Sequence, residues 1–146
     1  MDLQRFLPYR IALLSESVSQ CIAQVYRERF VLTRDEWRVL AALADAGTVK
    51  TGDVIQSTTL EKMQVSRAVT RLQAEGLLER VPDPEDGRGW LLRLKPAGRA
   101  LFQKIAPMVQ AREAFLLEAL EPAERAVLER AIDRLIEQAR RLSRQG

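Results

Sequence analysis

Among its 146 residues the sequence has no histidine and a single cysteine, Cys21. Without histidine, the commonest zinc ligand and the commonest general base are both missing. One thiol cannot form an intramolecular disulfide. Catalysis would have to rest on carboxylates, lysine, tyrosine or that thiol. There is no glycine-rich phosphate loop and no serine motif in a strand-turn-helix setting. The expectation is a protein that is not an enzyme and needs no metal or other cofactor. Long apolar runs are lacking too: none approaches the roughly 18 residues of a membrane span. The opening MDLQRFLPYR has no basic region followed by an apolar core, so a cytoplasmic protein without membrane attachment is expected. No internal repeat or low-complexity tract is found.

What is present suits one modest domain, or a unit that shares its core with a copy of itself: 47% of residues are apolar. The 23 basic and 20 acidic residues leave a net charge of +3 and a pI near 9.4. Such a mild excess identifies a polyanion partner only through its local placement.

Residues 7 to 29 read as a helix, with Pro8 in the first turn and Leu7, Ile11, Leu14, Val18, Ile22 and Val25 at spacings of three and four. LTRDEWRVLAALADAG carries a capping box, Thr33 as N-cap and Glu36 three residues on, and closes at Gly47, which predicts a helix over 34 to 46. TGDVIQSTTL, 51 to 60, reads as a short helix capped by Thr51 and leading through a tight connection into another, as in a helix-turn-helix. After Gly76 the period changes. LLERVP and GWLLRLK alternate around the turn-rich PDPEDGRG and predict a β-hairpin, which completes a winged helix. A helical pattern resumes from Ala97 to Leu120 with Pro107 expected to kink it. Pro122 then opens a last helix bearing Leu128, Ile132, Leu135, Ile136 and Leu142.

Both ends of the chain are thus long amphipathic helices. So small a central domain cannot cover all their apolar surface, and packing against a second subunit is expected. The alternative is a monomer whose termini pack on each other.

The stretch EKMQVSRAVTRLQAEGLLERV, 61 to 81, is the most informative. At about 100° per residue, with Ser66 as zero, Met63, Arg67, Thr70 and Arg71 fall between zero and roughly +140°. Val65, Ala68, Val69 and Leu72 gather between roughly −60° and −160°. One face packs; the other offers two guanidinium groups, two hydroxyls and a thioether, with no acid between Lys62 and Ala74. Gly76 stops the helix in a conformation that glycine adopts cheaply, and Leu77 turns back to the core. A major groove admits such a helix, and guanine offers a bidentate arginine two acceptors. The alternative reading is an ordinary solvated face. At the hairpin tip, Asp86, Gly87 and Arg88 place a cation at the end of a ribbon, with an acid close enough to orient it. Arginine is the usual side chain in a narrow minor groove; the alternative is a turn with a surface ion pair.

With these elements in this order, the chain resembles the MarR family of winged-helix transcriptional regulators over essentially its whole length. LTRDEWRVLAAL, VSRAVTRLQAEGLLER and DPEDGRGWLLRLKPAGRAL look like the family's second helix, recognition helix and wing. FLPYRIALLSESVSQCIAQVY and EWRVL look like a branch linked to aromatic-compound catabolism. The resemblance implies a mainly α fold, a winged helix-turn-helix over 31–107 with a two-stranded β wing, and dimerisation helices over 1–30 and 108–146. It implies that Gln64, Ser66, Arg67, Thr70 and Arg71 face the major groove of double-stranded DNA, and that Arg88, held by Asp86, enters the minor groove. It further implies a homodimer on a pseudo-palindromic operator, probing successive major-groove faces about 34 Å apart, often a repressor released by a small aromatic or other organic acid or its derivative. Lys95 stands where the family commonly has threonine after the wing, and Glu61 where it commonly has aspartate before the recognition helix. Neither touches the expected groove face.

Tyr9, Arg10, Trp37, Arg38 and Arg112 are candidates for an acid-binding pocket, since an aromatic wall with a guanidinium suits an aromatic carboxylate. Each has a plainer role available: Trp37 in the core or an interface, Tyr9 as a helix contact, the arginines solvated. Some members of the family sense peroxide through a cysteine near the N-terminus. Cys21 lies deeper in its helix and beside the apolar stripe, so a structural thiol is favoured over a redox-sensing regulator. A winged helix used for protein contacts without DNA is the remaining alternative.

Overall fold

The computed structural model describes residues 1–146. Helix α1 covers Leu7–Phe30 with Pro8 in its first turn, after a short 3-10 turn at Leu3–Arg5 that the sequence pattern does not signal. Helix α2, Arg34–Ala46, starts where the capping box places it: Thr33 Oγ1 accepts from the Glu36 backbone N–H at 3.1 Å, and the Glu36 carboxylate accepts from the Thr33 N–H at 3.0 Å.

Helix α3, Thr51–Thr58, is shorter than expected and capped differently. Its N-cap is Lys50, because Val49–Lys50 form a short strand β1. Thr51 is instead the first helical residue, and its hydroxyl donates to the Trp90 carbonyl at 3.2 Å. Helix α4 runs Lys62–Ala74 with Glu61 as N-cap. It ends as the glycine predicts. Gly76 sits at φ +74°, its N–H bonds the Gln73 carbonyl at 3.0 Å, and the Leu77 N–H bonds the Leu72 carbonyl at 2.9 Å. That pair of bonds satisfies carbonyls the helix end would otherwise leave open.

Strands β2, Leu78–Pro82, and β3, Trp90–Leu94, form the expected hairpin. With β1 they make an antiparallel sheet in the order β1-β3-β2, so the two-stranded wing has a third short strand at its base. Leu78 pairs with Leu94 and Arg80 with Leu92, which puts these four on one face of the pleat. Helix α5, Pro96–Leu117, follows. The change to Lys95 does not disturb this junction, because its contribution is made by the backbone: Lys95 N–H donates to the Leu77 carbonyl at 2.9 Å, and its own carbonyl accepts from Arg99 at 3.0 Å. Pro107 lies inside α5, which runs through it unbroken. The proline removes the partner of the Gln103 carbonyl, and Gln103 is exposed, where water can replace it. Helix α6 spans Pro122–Gln145. No helix is long and apolar enough to cross a membrane.

The chain divides into two compact units, Met1–Val109 and Gln110–Gly146. The core of the first joins Tyr26 of α1, Val39, Leu40 and Leu43 of α2, Val54 of α3, Val65 and Leu72 of α4, Leu78, Leu92 and Leu94 of the sheet, and Ile105 of α5, all buried. Each fully buried Leu or Val of this kind contributes about 1.5–3 kcal/mol. In the second unit the Arg125 guanidinium donates to the Leu117 carbonyl at 3.0 Å across the turn. There α6 has no buried residue, and Leu128, Ile132, Leu135, Ile136 and Leu142 are exposed. The first half of α1 is similarly open, with Leu7, Ile11 and Leu14 uncovered.

Candidate nucleic-acid interface

Helix α4 divides as its periodicity requires. Val65, Ala68, Val69 and Leu72 are buried, while Met63, Ser66, Arg67, Thr70 and Arg71 are exposed. Gln64 is half-buried, and its side-chain oxygen accepts from the Glu61 N–H at 2.9 Å. It therefore caps the helix and presents outward only its NH2. Arg67 forms no ion pair within the chain.

Two side chains from outside α4 modify this face. Arg80 of β2 donates to Thr70 Oγ1 at 3.3 Å, adding a cation that the helix pattern alone did not include. The available signal was the strand period, since Arg80 lies two residues from the inward Leu78 and so points to the side that packs on the helix. The other addition is an acid. Arg71 Nη1 donates to both oxygens of Glu36 at 3.2 Å, and Arg71 Nε lies 3.8 Å from Glu75. A face with no acid in its own stretch is thus supplied with one from α2.

At the wing tip Asp86 Oδ1 accepts from the backbone N–H of Arg88 at 3.1 Å, and the Asp86 carbonyl accepts from Gly89 at 3.0 Å. The acid thus shapes the turn that carries Arg88, where the sequence suggested a grip on its side chain. The Arg88 guanidinium has no acidic partner in the chain. Asp83, buried at the foot of the turn, accepts from the Glu85 N–H at 2.9 Å. Lys50 reaches Glu85 from β1 at 3.5 Å.

Four of the five candidate ligand residues divide between two hollows. Tyr9 and Arg10 line a hollow of about 480 Å³ on α1 with Gln4, Leu13, Leu14 and Ser17. Trp37 and Arg38 line a second, of about 520 Å³, between α2 and the end of α3. Arg112 belongs to the second compact unit. Trp37 is stacked between Tyr26 and Phe102, each ring 5.7 Å away, so it packs with the core. Arg38 donates to Thr59 Oγ1 at 3.3 Å. Burial raises the Tyr26 phenol above its usual pKa, against the pull of Arg27, Arg38 and Arg34 and with a small addition from Asp35. Cys21 is half-buried on α1. No group of three or more histidine, cysteine or acidic side chains is placed to hold a metal.

Helices α3 and α4 in close succession, the second with an outward cation, and a hairpin carrying an arginine at its tip define a winged helix-turn-helix. Residues 32–89 match the model of the MarR family. A MarR family transcriptional regulator from Silicibacter pomeroyi DSS-3, SPO1453, is 31% identical, with a TM-score of 0.80 over 92% of this chain and 98% of that one. The chain therefore belongs to the MarR family. BpsR of Bordetella bronchiseptica, whose DNA binding is regulated by 6-hydroxynicotinic acid, is 26% identical, with a TM-score of 0.83 over 92% of this chain and 96% of that one. The HTH-type transcriptional repressor NicR of Pseudomonas putida is 28% identical over 97 residues, 66% of this chain and 61% of NicR. The matches span between about half and three fifths of the length of such curated relatives. These relatives are transcriptional regulators rather than enzymes.

Proposed function

We propose that the protein is a homodimeric transcriptional repressor that binds a pseudo-palindromic operator and is released by a small aromatic or other organic acid. The observation that carries this reading is the pair of arginines left without acidic partners, Arg67 on the outward face of α4 and Arg88 at the wing tip. An unpaired guanidinium is available to guanine or phosphate without breaking an internal bond. Of the five expected groove residues, Gln64, Ser66, Arg67 and Thr70 meet the major groove, while Arg71 on the same face is engaged by Glu36; Arg88 meets the minor groove on a turn set by Asp86. Arg80 reaches the flank of the same face.

The segments 1–30 and 108–146 serve as dimerisation helices. Support comes from the apolar side chains that one chain leaves uncovered on α1 and α6, and from the need for two recognition helices about 34 Å apart on one face of DNA. The repressor assignment and the class of effector rest on likeness to NicR and BpsR. Tyr9, Arg10, Trp37, Arg38 and Arg112 are the proposed effector contacts. An effector acts by the difference in its affinity for DNA-competent and incompetent spacings of the two heads.

The test is selection of genomic fragments by the purified protein at about 150 mM salt, beside an Arg67→Ala, Arg88→Ala double variant. Enriched pseudo-palindromes that the variant loses are the expected result. A folded protein that enriches nothing, or a variant that selects the same fragments, overturns the reading in favour of a protein-contact module.

A further inference from the structure

Arg71 has a different environment from the other outward residues of α4. Its partner Glu36 has a side chain only 5% exposed, whereas Arg71 itself is 46% exposed. The same carboxylate caps α2 by accepting the Thr33 N–H. A buried carboxylate is tolerated where it is paired and hydrogen-bonded, and Arg71 is the only cation bonded to it. To meet a guanine through both Nη groups, Arg71 would have to give up this acid and leave it unpaired.

The pair also supplies something that the apolar contacts of α4 lack. Burial of Val65, Ala68, Val69 and Leu72 is non-directional and holds the helix against the domain more firmly than it fixes rotation about the helix axis. The Arg71 contact is directional instead: Nη1 lies 3.2 Å from both Glu36 oxygens and so ties one point on the flank of α4 to the start of α2. Glu36 is fixed by its cap at the start of α2, and Arg71 projects from the flank of α4 next to Leu72. From this geometry we infer that Arg71 is a positioning residue. It sets the rotation of the recognition helix through Glu36, so that Ser66, Arg67 and Thr70 point into the groove, and it does not read a base itself. The inference rests on the DNA-binding reading above.

Four variants test it: Arg71→Ala, Arg71→Lys, Glu36→Gln and the Arg71→Ala, Glu36→Gln double. Glutamine at the third helical position still serves a capping box, so Glu36→Gln keeps the start of α2 and removes the charge. Lysine keeps the positive charge but has one nitrogen, where Arg71 reaches Glu36 through Nη1 and lies near Glu75 through Nε. The probe is a duplex selected from a randomised library by the wild-type protein. Affinity, its salt dependence and the base preference of each variant are measured at a temperature where thermal unfolding shows every protein folded.

Arg71→Ala, Arg71→Lys and Glu36→Gln are each expected to weaken binding on the order of tenfold, with the double variant no weaker than the worse single, as for residues acting as one unit. The salt slope should stay at the wild-type value, and the loss of preference should spread over several base pairs. A purely stabilising pair would change the unfolding midpoint and leave the affinity of folded protein alone. The inference is overturned if that happens. It is also overturned if Arg71→Ala lowers the slope by about 0.9, one phosphate contact, or relaxes a single base pair while Glu36→Gln binds as wild type does. A wild-type protein that enriches no duplex sinks the DNA-binding reading itself, a result distinct from either of these.

Discussion

Val31 closes α1 at φ 54° and ψ 40°, a left-handed conformation that costs an L-residue roughly 1–2 kcal/mol and in which β-branched residues are rare. Its side chain is 70% exposed and returns little packing, while the Leu32 N–H completes the turn by bonding the Tyr26 carbonyl at 3.0 Å. Val31→Gly removes the strain at some cost in unfolded-chain entropy and is expected to raise stability by about 1 kcal/mol. Urea unfolding checks this; a lower midpoint would mean that Val31 is held by contacts beyond its own turn. Tyr26, 2% exposed, has its pKa raised above 10.0, foremost by burial. The folded state therefore holds the phenolic proton more tightly than the unfolded state does. The associated stability is complete below about pH 10 and is lost as pH rises through the folded pKa. Unfolding curves across that range should show the loss, and Tyr26→Phe should flatten it.

Two glycines hold the helix-to-wing junction together, and they differ in how visible their reasons are. Gly76 was legible: a polar helix face followed by Glu-Gly-Leu is a local stop signal, and its φ of +74° makes Gly76→Ala cost about 1 kcal/mol. Gly98 was not singled out by any local rule. It sits in the first turns of α5, where an added Cβ would collide with the Leu77 carbonyl, which already accepts the Lys95 N–H. Backbone cannot yield as a flexible side chain can, so Gly98→Ala is expected to cost more than about 2 kcal/mol, read by thermal unfolding. Helices α2 and α4 and the hairpin were legible for the same reason as Gly76, since caps, periods and turn residues act over a few positions. The cap at the start of α3 was misjudged because a strand that pairs with β3 takes the residues before it.

For the whole molecule, the proposed dimer would cover apolar side chains that α1 and α6 each leave exposed. The proposed dimer predicts that Leu135→Glu yields monomers in sedimentation. It also predicts a loss of operator affinity of more than an order of magnitude, because each head then binds its half-site without the effective concentration supplied by the other. A dimer that persists with unchanged affinity would move the interface elsewhere. Wild-type thermal midpoints should rise with protein concentration, as for any assembly that is linked to folding.

The sequence by itself determined the order of elements, the inward and outward faces of α4, the stop at Gly76 and the hairpin, because backbone preference, capping and hydrophobic period are written in neighbouring residues. It also placed Arg67 and Arg88 where a cation can point away from the fold. Only the tertiary structure decided what those faces meet. Glu36 and Arg71 are 35 positions apart, Arg80 comes to Thr70 from a strand, and Trp37 is taken up by stacking between rings of two other helices. A charge or an aromatic ring carries no local mark of its partner. Whether it is free for a ligand or already engaged depends on distances that exist only once the chain has folded.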